Sequence, residues 1–206
     1  MPRKNLDRFS QVKPSISFYS KKNQRLMYCE SHVEVGALLQ LEYDTTVERY
    51  QTQPESFGYI RDGKKRRYTA DVLVKHVTGK FCYEEVKTRQ DAEHPDFIEK
   101  FNYLQWLFGY QIGVPLQLRI ANAPHQCPVT GNLKLLYRYL ALQLSTSALT
   151  AIRSLDYPRS LASICEALRF MGFENNDVYA AMAQGGLIFD KSQHVTRATM
   201  LELAHG

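Results

Sequence analysis

The 206-residue sequence has no uninterrupted apolar segment close to 18 residues, and its N-terminal region lacks the apolar core of a signal peptide. We therefore expect no membrane-spanning helix and a cytoplasmic location. The cysteines are few and widely spaced, since Cys29, Cys82, Cys127 and Cys165 form no CxxC pair. Reduced thiols are therefore a better interpretation than a zinc site or a disulfide framework.

The charges are unevenly distributed along the chain. The formal net charge is +5 and the pI is near 9.0, which favours a polyanionic partner. Residues 1–28 are polar and basic with few apolar side chains, so we expect a flexible arm that orders on contact with DNA or a partner. A solvated tail without a role is the alternative. Residues 175–189, in contrast, contain no lysine or arginine.

Two short runs rich in β-branched and aromatic residues, 68–74 and 81–87, predict strands joined by a glycine-containing turn. On the second strand Glu85 and Lys87 are two positions apart, so their side chains leave the same face. If the strands are antiparallel neighbours, Asp71 of the first strand converges with them. Two carboxylates suit Mg²⁺ or Mn²⁺, and a lysine can stabilise charge or orient a water. The spacing therefore predicts a metal-dependent site.

Glu34 is a further candidate ligand. The apolar spacing over residues 31–43 predicts a helix that ends at Asp44, with Glu34 beside the apolar stripe and directed toward the sheet. However, Ser31 and Glu34 also have the spacing of a capping box, in which Glu34 only satisfies the helix N-terminus. The residues alone leave both roles open, and Glu30 is a second candidate for the helix carboxylate.

A cationic hairpin is predicted between these elements. Asp62-Gly63 is a strong turn signal, so residues 57–60 should pair antiparallel with residues 67–74. Four consecutive cations at the predicted tip are candidate phosphate contacts or, alternatively, a solvated tip. They are Lys64, Lys65, Arg66 and Arg67. Arg89, shortly after the second acidic strand, is placed to reach a phosphate as well.

A helix beginning at Pro95 is predicted by apolar residues at positions 97, 101, 104 and 108. We interpret this stripe, together with Trp106, as core packing and not as a base-stacking platform. Residues 116–120 alternate like another strand. The order of helix, three strands, helix and strand predicts an α/β sandwich with a mixed sheet flanked by helices.

The C-terminal region has a different composition. Prolines and glycine make residues 121–131 loop-like, and the following segments are helical. A predicted hairpin of residues 187–189 with residues 194–196 then completes a small winged-helix-like domain. Its candidate recognition helix lacks cations, which argues against direct reading of the major groove and favours docking to a protein.

Asp71 followed by Glu85-Val86-Lys87 resembles the PD-(D/E)xK nuclease signature. With further motifs upstream, it resembles the TnsA family, the restriction-endonuclease-like subunit of heteromeric cut-and-paste transposases. The resemblance covers residues 10–90 by motif, and Ala70 stands where the family usually has proline. The matching segments are, in order, Lys13-Pro14-Ser15, Glu30-Ser31-His32-Val33-Glu34, Leu41-Glu42-Tyr43-Asp44-Thr45-Thr46-Val47, Gln53-Pro54 and Tyr68-Thr69-Ala70-Asp71.

The resemblance implies a metal-dependent DNA endonuclease that cuts the 5′ strands at transposon ends. It implies that Asp71 and Glu85 bind Mg²⁺, for which Mn²⁺ substitutes, that Glu34 binds a second metal or its water, and that Lys87 positions the attacking water. The implied partners are double-stranded DNA at transposon ends, a TnsB-type DDE transposase and a TnsC-type regulator ATPase, in a bacterial cytoplasm at the nucleoid.

We therefore predict three parts of the chain. Residues 1–28 form the basic arm, residues 29–123 a restriction-endonuclease-like domain, and residues 124–206 the winged-helix-like domain. Two other functions remain open: a stand-alone restriction or repair nuclease of the same fold, and a catalytically inert DNA-binding or scaffolding subunit. A stand-alone nuclease would need its own element for reading the DNA sequence. An inert subunit would have no physical need for two carboxylates, Asp71 and Glu85, beside one lysine, Lys87.

Overall fold

A mixed α/β architecture is formed by residues 15–204, the part of the chain that the computed structural model describes. The strands are β1 (Ile16–Ser20), β2 (Arg25–Cys29), β3 (Val47–Thr52), β4 (Phe57–Arg61), β5 (Lys64–Tyr68), β6 (Val72–His76), β7 (Phe81–Lys87), β8 (Leu116–Ile120), β9 (Arg159–Ser160), β10 (Leu187–Ile188) and β11 (Met200–Leu203). The α-helices are α1 (His32–Tyr43), α2 (Arg89–Ala92), α3 (Pro95–Leu107), α4 (Pro128–Tyr137), α5 (Thr146–Arg153), α6 (Leu161–Phe170) and α7 (Asn175–Ala183).

The central sheet has the strand order β3-β6-β7-β8. The strands β6 and β7 are antiparallel, as predicted, and β7 and β8 are parallel, so the sheet is mixed. The predicted strand over residues 68–74 is wrong in one respect, because it is divided between two sheets. Tyr68 ends β5, which forms a separate hairpin with β4, and the chain crosses to β6 at Val72.

Alternating residues of β7 face two different layers. Val86 and Cys82 pack with α1 in one buried cluster, whereas Tyr83 packs with α3 in another. Helix α1 lies unusually close to the loop after β8, because a Cβ on Gly36 would be 2.0 Å from the carbonyl oxygen of Asn122. The sheet is therefore covered on both faces, with α1 on one side and α3 with the β4–β5 hairpin on the other.

The N-terminal region departs from the prediction. Residues 16–29 form an antiparallel hairpin of β1 and β2 packed on the core, so the expected flexible arm is wrong for this part. Residues 1–14, including Lys13 and Pro14, lie outside the described residues. The hairpin is held by the buried carboxylate of Glu42, which accepts hydrogen bonds from the Ser20 hydroxyl and the Lys22 backbone N–H. Because Glu42 comes from α1, the short-range sequence pattern could not reveal this anchor.

Helix α3 and the turn after it bury the predicted stripe, since Phe101, Leu104 and Phe108 are in the core. Trp106 is not part of that core, and its assignment to core packing is wrong: the residue is 57% exposed. The reason is helical geometry, because Trp106 is two positions from Leu104, which places it on the opposite side of α3. A π-helical turn (Phe108–Ile112) continues the helix.

The C-terminal elements are α5, β9, α6, α7, β10 and β11, and their strands form a sheet in the order β10-β11-β9. The partner of β10 was predicted wrongly, since it is β11 and not residues 194–196. The side chain of Asn132 in α4 accepts the Val195 backbone N–H and donates to the carbonyls of Lys191 and Gln193. These contacts hold residues 191–195 to α4, so this segment does not pair with β10.

Candidate active site

Asp71 is fixed at the start of β6 by its own backbone and side chain. Its N–H donates to the Glu84 carbonyl at 3.0 Å, and its carbonyl accepts the Gln53 N–H at 2.8 Å. The Oδ2 atom accepts the backbone N–H of Val86 at 2.7 Å. These backbone and side-chain hydrogen bonds place the Asp71 carboxylate beside the last residues of β7.

Glu85 and Lys87 lie on the same face of β7, as the spacing predicted. The Lys87 ammonium donates to Oε1 of Glu85 at 2.7 Å, and the Tyr68 hydroxyl donates to Oε2 at 2.5 Å. The Glu85 residue is only 9% exposed. Tyr68 was missed as a site residue, because a tyrosine in a predicted strand gives no signal of which carboxylate its hydroxyl contacts.

The carboxylates influence one another electrostatically. Burial raises the pKa of Asp71 to about 7, and the negative charge of Glu85 is the second cause of this rise. The hydrogen bond from the Val86 N–H and the positive charge of Lys87 act in the opposite direction. Glu34 adds a smaller increase. Burial also raises the pKa of the Cys29 thiol to about 12, with additional contributions from Glu34 and Asp71. Glu34 is therefore within electrostatic reach of Asp71.

Glu34 takes part in the N-terminal cap of α1, although its side chain accepts the N–H of Glu30 and not that of Ser31, as a capping box would require. Its Oε1 atom accepts the Ser31 hydroxyl at 2.8 Å, and Oε2 accepts the backbone N–H of Glu30 at 2.9 Å. The Ser31 oxygen in turn accepts the Glu34 N–H at 3.2 Å. Glu34 also lines the same cavity as Asp71, so its capping contacts do not remove it from that cavity.

This cavity has a volume of about 620 Å³. Its walls come from the N-terminus of α1, the ends of β6 and β7, α2 and the start of α3. The lining residues are Glu30, Ser31, Val33, Glu34, Asp71, Val86, Lys87, Thr88, Gln90, Asp91, His94 and Phe97. Glu85 is not among them and reaches the cavity wall through its ion pair with Lys87. The cavity thus joins carboxylates and one ammonium in a space open to a substrate.

Residues 44–111 match the family model described as TnsA-like endonuclease N terminal. This part of the chain is similar to a TnsA-like endonuclease N-terminal domain, and we call it the TnsA-like domain. Asp71, Glu85 and Lys87 lie inside the matched range, whereas Glu34 precedes it and residues 112–206 follow it. No curated protein matches the chain. The TnsA-like domain supports a nuclease role in transposition, with DNA and transposase partners.

The other cations predicted to contact DNA lie outside the cavity. Residues 64–67 form the strand β5 of the TnsA-like domain instead of a hairpin tip, and all four side chains are exposed. Arg89 does not extend the active-site strand, because the Thr88 hydroxyl accepts the Asp91 N–H at 3.1 Å and caps the short helix α2. Arg89 is the first residue of that helix and is exposed.

The donor chemistry of the TnsA-like domain fits a hard divalent cation. Asp71 and Glu85 offer carboxylate oxygens, the ligands that Mg²⁺ and Mn²⁺ prefer. Asp71 Oδ2 is engaged by Val86, and Oδ1 accepts no hydrogen bond from residues 15–204. Within that range no group of three or more histidine, cysteine, aspartate or glutamate side chains is arranged to hold a metal ion. Glu34, engaged in its cap, is therefore not gathered with the other two.

No helix within residues 15–204 is long and apolar enough to cross a membrane.

Proposed function

We propose that this protein is a DNA endonuclease that hydrolyses the 5′ strands at transposon ends as a subunit of a cut-and-paste transposase. The observation that carries the proposal is the placement of Asp71 beside the Lys87–Glu85 ion pair, within one TnsA-like domain. Two antiparallel strands hold these groups at one edge of a solvent-accessible cavity. The arrangement suits hydrolysis of a phosphodiester, because it combines ligands for a cation with a fixed positive charge.

Lys87 is the residue that contacts the reacting atoms in this proposal. Its ammonium is oriented by Glu85 and lies 5.5 Å from the centre of the Phe97 ring, at the cavity wall. It orients the attacking water and stabilises the negative charge that develops on the phosphate. Asp71 and Glu85 would hold Mg²⁺ or Mn²⁺, and Glu34, which lines the same cavity, would bind a second cation or its water; the bound cation would act as a Lewis acid on the phosphate.

The DNA path in this proposal runs beyond the cavity. The exposed cations Lys64, Lys65, Arg66 and Arg67 and the exposed Arg89 would contact phosphates. Such contacts position a duplex but do not read its sequence. The choice of the cleavage position therefore falls to partners, which we propose to be a TnsB-type DDE transposase and a TnsC-type regulator ATPase.

The C-terminal elements would serve this docking as a winged-helix-like domain. Their order of helix, strand, two helices and two strands supports that assignment. Phe170, at the end of α6, is 94% exposed, and α7 has no lysine or arginine. An exposed apolar side chain beside a cation-free helix favours a protein partner over the phosphate backbone.

The deciding experiment is nicking of a labelled duplex that carries the transposon end, with Mg²⁺ or Mn²⁺. Wild type is compared with Lys87→Ala, each with and without the cognate transposase subunit. Cleavage that requires both Lys87 and the partner is the expected result. Site-specific cleavage by the chain alone would instead indicate a stand-alone nuclease, and absence of cleavage in every combination would indicate a scaffold.

A further inference from the structure

Four aromatic side chains form a continuous row that begins at Tyr59, which packs against the hydrophobic core, and ends at exposed rings. Tyr59 of β4 is 5.9 Å from Tyr103, which is 5.9 Å from Trp106, and Trp106 is 5.7 Å from Tyr110, all between ring centroids. The last two rings are almost parallel, with an interplanar angle of 6°. We call these four residues the aromatic ladder. Trp106 is 57% and Tyr110 78% exposed, so the far end of the ladder offers large ring faces to solvent.

Cations border the other end of the ladder. The Arg61 guanidinium lies 4.9 Å from the centre of the Tyr103 ring. In the β4–β5 hairpin Tyr59 pairs with Arg66, and Arg61 pairs with Lys64, so the side chains of each pair share one face. Residues 61–67 contain five cations and one acid. The ladder therefore runs from a strip of positive charge, in which Arg61 is paired with Glu99, to the exposed rings at its far end.

The ladder leads away from the candidate active site. Both share α3, because Phe97 in its first turn lines the cavity and lies beside Lys87. Tyr103 follows Phe97 by six residues, and the helical rise of 1.5 Å per residue places it about 9 Å farther along the axis. Trp106 and Tyr110 extend the row to about 20 Å. A DNA strand of a few nucleotides spans this distance.

The chemistry of this surface favours single-stranded over double-stranded DNA. In a duplex the base faces are stacked on one another and cannot reach protein rings, whereas unpaired bases stack readily on exposed aromatic side chains. Phosphates of the same strand match the adjacent cations. We propose that the aromatic ladder binds a single-stranded segment of the DNA substrate, with bases on Trp106 and Tyr110 and phosphates on the β4–β5 hairpin. This inference rests on the proposed function, since the segment belongs to the strand that enters the nuclease cavity.

Trp106 allows a direct test, because it is the only tryptophan in the chain. Its fluorescence is recorded while the wild-type protein, with a chelator present to prevent cutting, is titrated with a single-stranded oligonucleotide of about 15 nucleotides. A duplex of the same sequence is titrated in parallel. We expect saturable quenching by the single strand, weakened by added salt, and at least about tenfold weaker quenching by the duplex.

Matched variants separate stacking from charge attraction. Tyr110→Ala should weaken binding of the single strand by about tenfold, while Tyr110→Phe, which keeps the ring, should bind as the wild type does. Tyr28→Ala is the control, because Tyr28 of β2 is a similarly exposed tyrosine, at 54%, outside the ladder. Its removal should leave the affinity unchanged.

Three results would overturn the inference. One is unchanged Trp106 emission at concentrations where labelled single-stranded DNA shows binding by anisotropy. The second is equal quenching by single strand and duplex. The third is a change of emission only when the transposase subunit is added, which would make the ladder a protein-docking surface. Nicking is measured in a separate assay. Nicking without quenching would reject DNA binding by the ladder and leave the nuclease function intact. Quenching without nicking would reject the nuclease function and leave DNA binding by the ladder intact.

Discussion

Glu84 and Glu85 are neighbours in β7, yet their carboxylates lie on opposite faces of the sheet. Glu84 accepts two hydrogen bonds from the Arg119 guanidinium of β8, at 2.5 and 2.6 Å. Glu85 accepts the Tyr68 hydroxyl and the Lys87 ammonium on the face that leads to the cavity. Strand alternation thus gives two adjacent acids different environments, one paired within the fold and one placed beside the candidate site.

We therefore expect a glutamate-to-glutamine substitution to affect mainly stability at position 84 and mainly nicking at position 85. Glu84→Gln should lower the free energy of unfolding by about 3 kcal/mol, because it leaves Arg119 largely buried without its counter-charge. Nicking by the folded fraction should persist. Glu85→Gln should lower nicking about 100-fold or more, through lost charge at the site, with a small effect on stability. Urea unfolding and nicking, measured on both variants at one temperature, check this prediction; a folded Glu84→Gln protein without nicking would contradict it.

The two roles of Glu34 can be separated by a second pair of variants. Glutamine keeps an acceptor oxygen for the cap, so Glu34→Gln should change the free energy of unfolding by less than about 0.5 kcal/mol. It removes the charge near Asp71, however, and nicking should fall about 100-fold if Glu34 helps to hold the cation. Ser31→Ala is the converse control, because it should cost about 1 kcal/mol of stability and preserve nicking. Wild-type nicking by Glu34→Gln would leave Glu34 with the capping role alone.

We expect Tyr68 to act as a positioning residue, because its hydroxyl donates to Glu85 and the residue does not line the cavity. Tyr68→Phe should lower nicking by about 10- to 100-fold and should shift its Mg²⁺ dependence to higher concentration. Tyr83→Phe is a matched control, since the buried Tyr83 also donates to a glutamate, Glu55, at 2.5 Å. Both variants should lose about 1 kcal/mol of stability. An equal loss of nicking in the two variants would show that general destabilisation, and not Glu85, explains the effect.

Local sequence rules were sufficient where the structure depends on neighbours in the chain. Alternation along a strand placed Glu85 and Lys87 on one face, and the turn signal at Asp62-Gly63 placed the hairpin. The capping spacing of Ser31 and Glu34 was also correct. The alternative functions of Glu34 could not be resolved in this way, because a capping carboxylate and a ligand carboxylate have the same sequence signature.

The errors arose where distant contacts decide the outcome. The hairpin of residues 16–29 is ordered by Glu42, and residues 191–195 are held by Asn132. Trp106 was assigned to the core because the apolar character of a tryptophan outweighed its position on the helix. Tyr68 was overlooked for a related reason: the partner of a hydroxyl group is set by packing between sheets, which no local pattern encodes.

The pKa of Asp71 gives the final prediction. It rises from 3.8 to about 7 in the folded protein, first through burial and then through the charge of Glu85. The folded state therefore binds this proton more tightly than the unfolded state. The resulting contribution to stability is fully present below pH 3.8 and is lost as the pH rises through 7. Asp71→Asn cannot ionise, so its stability relative to the wild type should increase by roughly 4 kcal/mol as the pH increases from 4 to 8.

Mg²⁺ should reduce that difference in stability. A cation that binds only the folded protein raises its free energy of unfolding, and binding requires the ionised carboxylate of Asp71. At pH 8 saturating Mg²⁺ should therefore stabilise the wild type and leave Asp71→Asn unchanged, while at pH 5 the effect on the wild type should be much smaller. Thermal unfolding of both proteins at the two pH values, with and without Mg²⁺, measures this directly. Equal stabilisation of both proteins would place the cation elsewhere, because Asp71 is the carboxylate that the substitution neutralises.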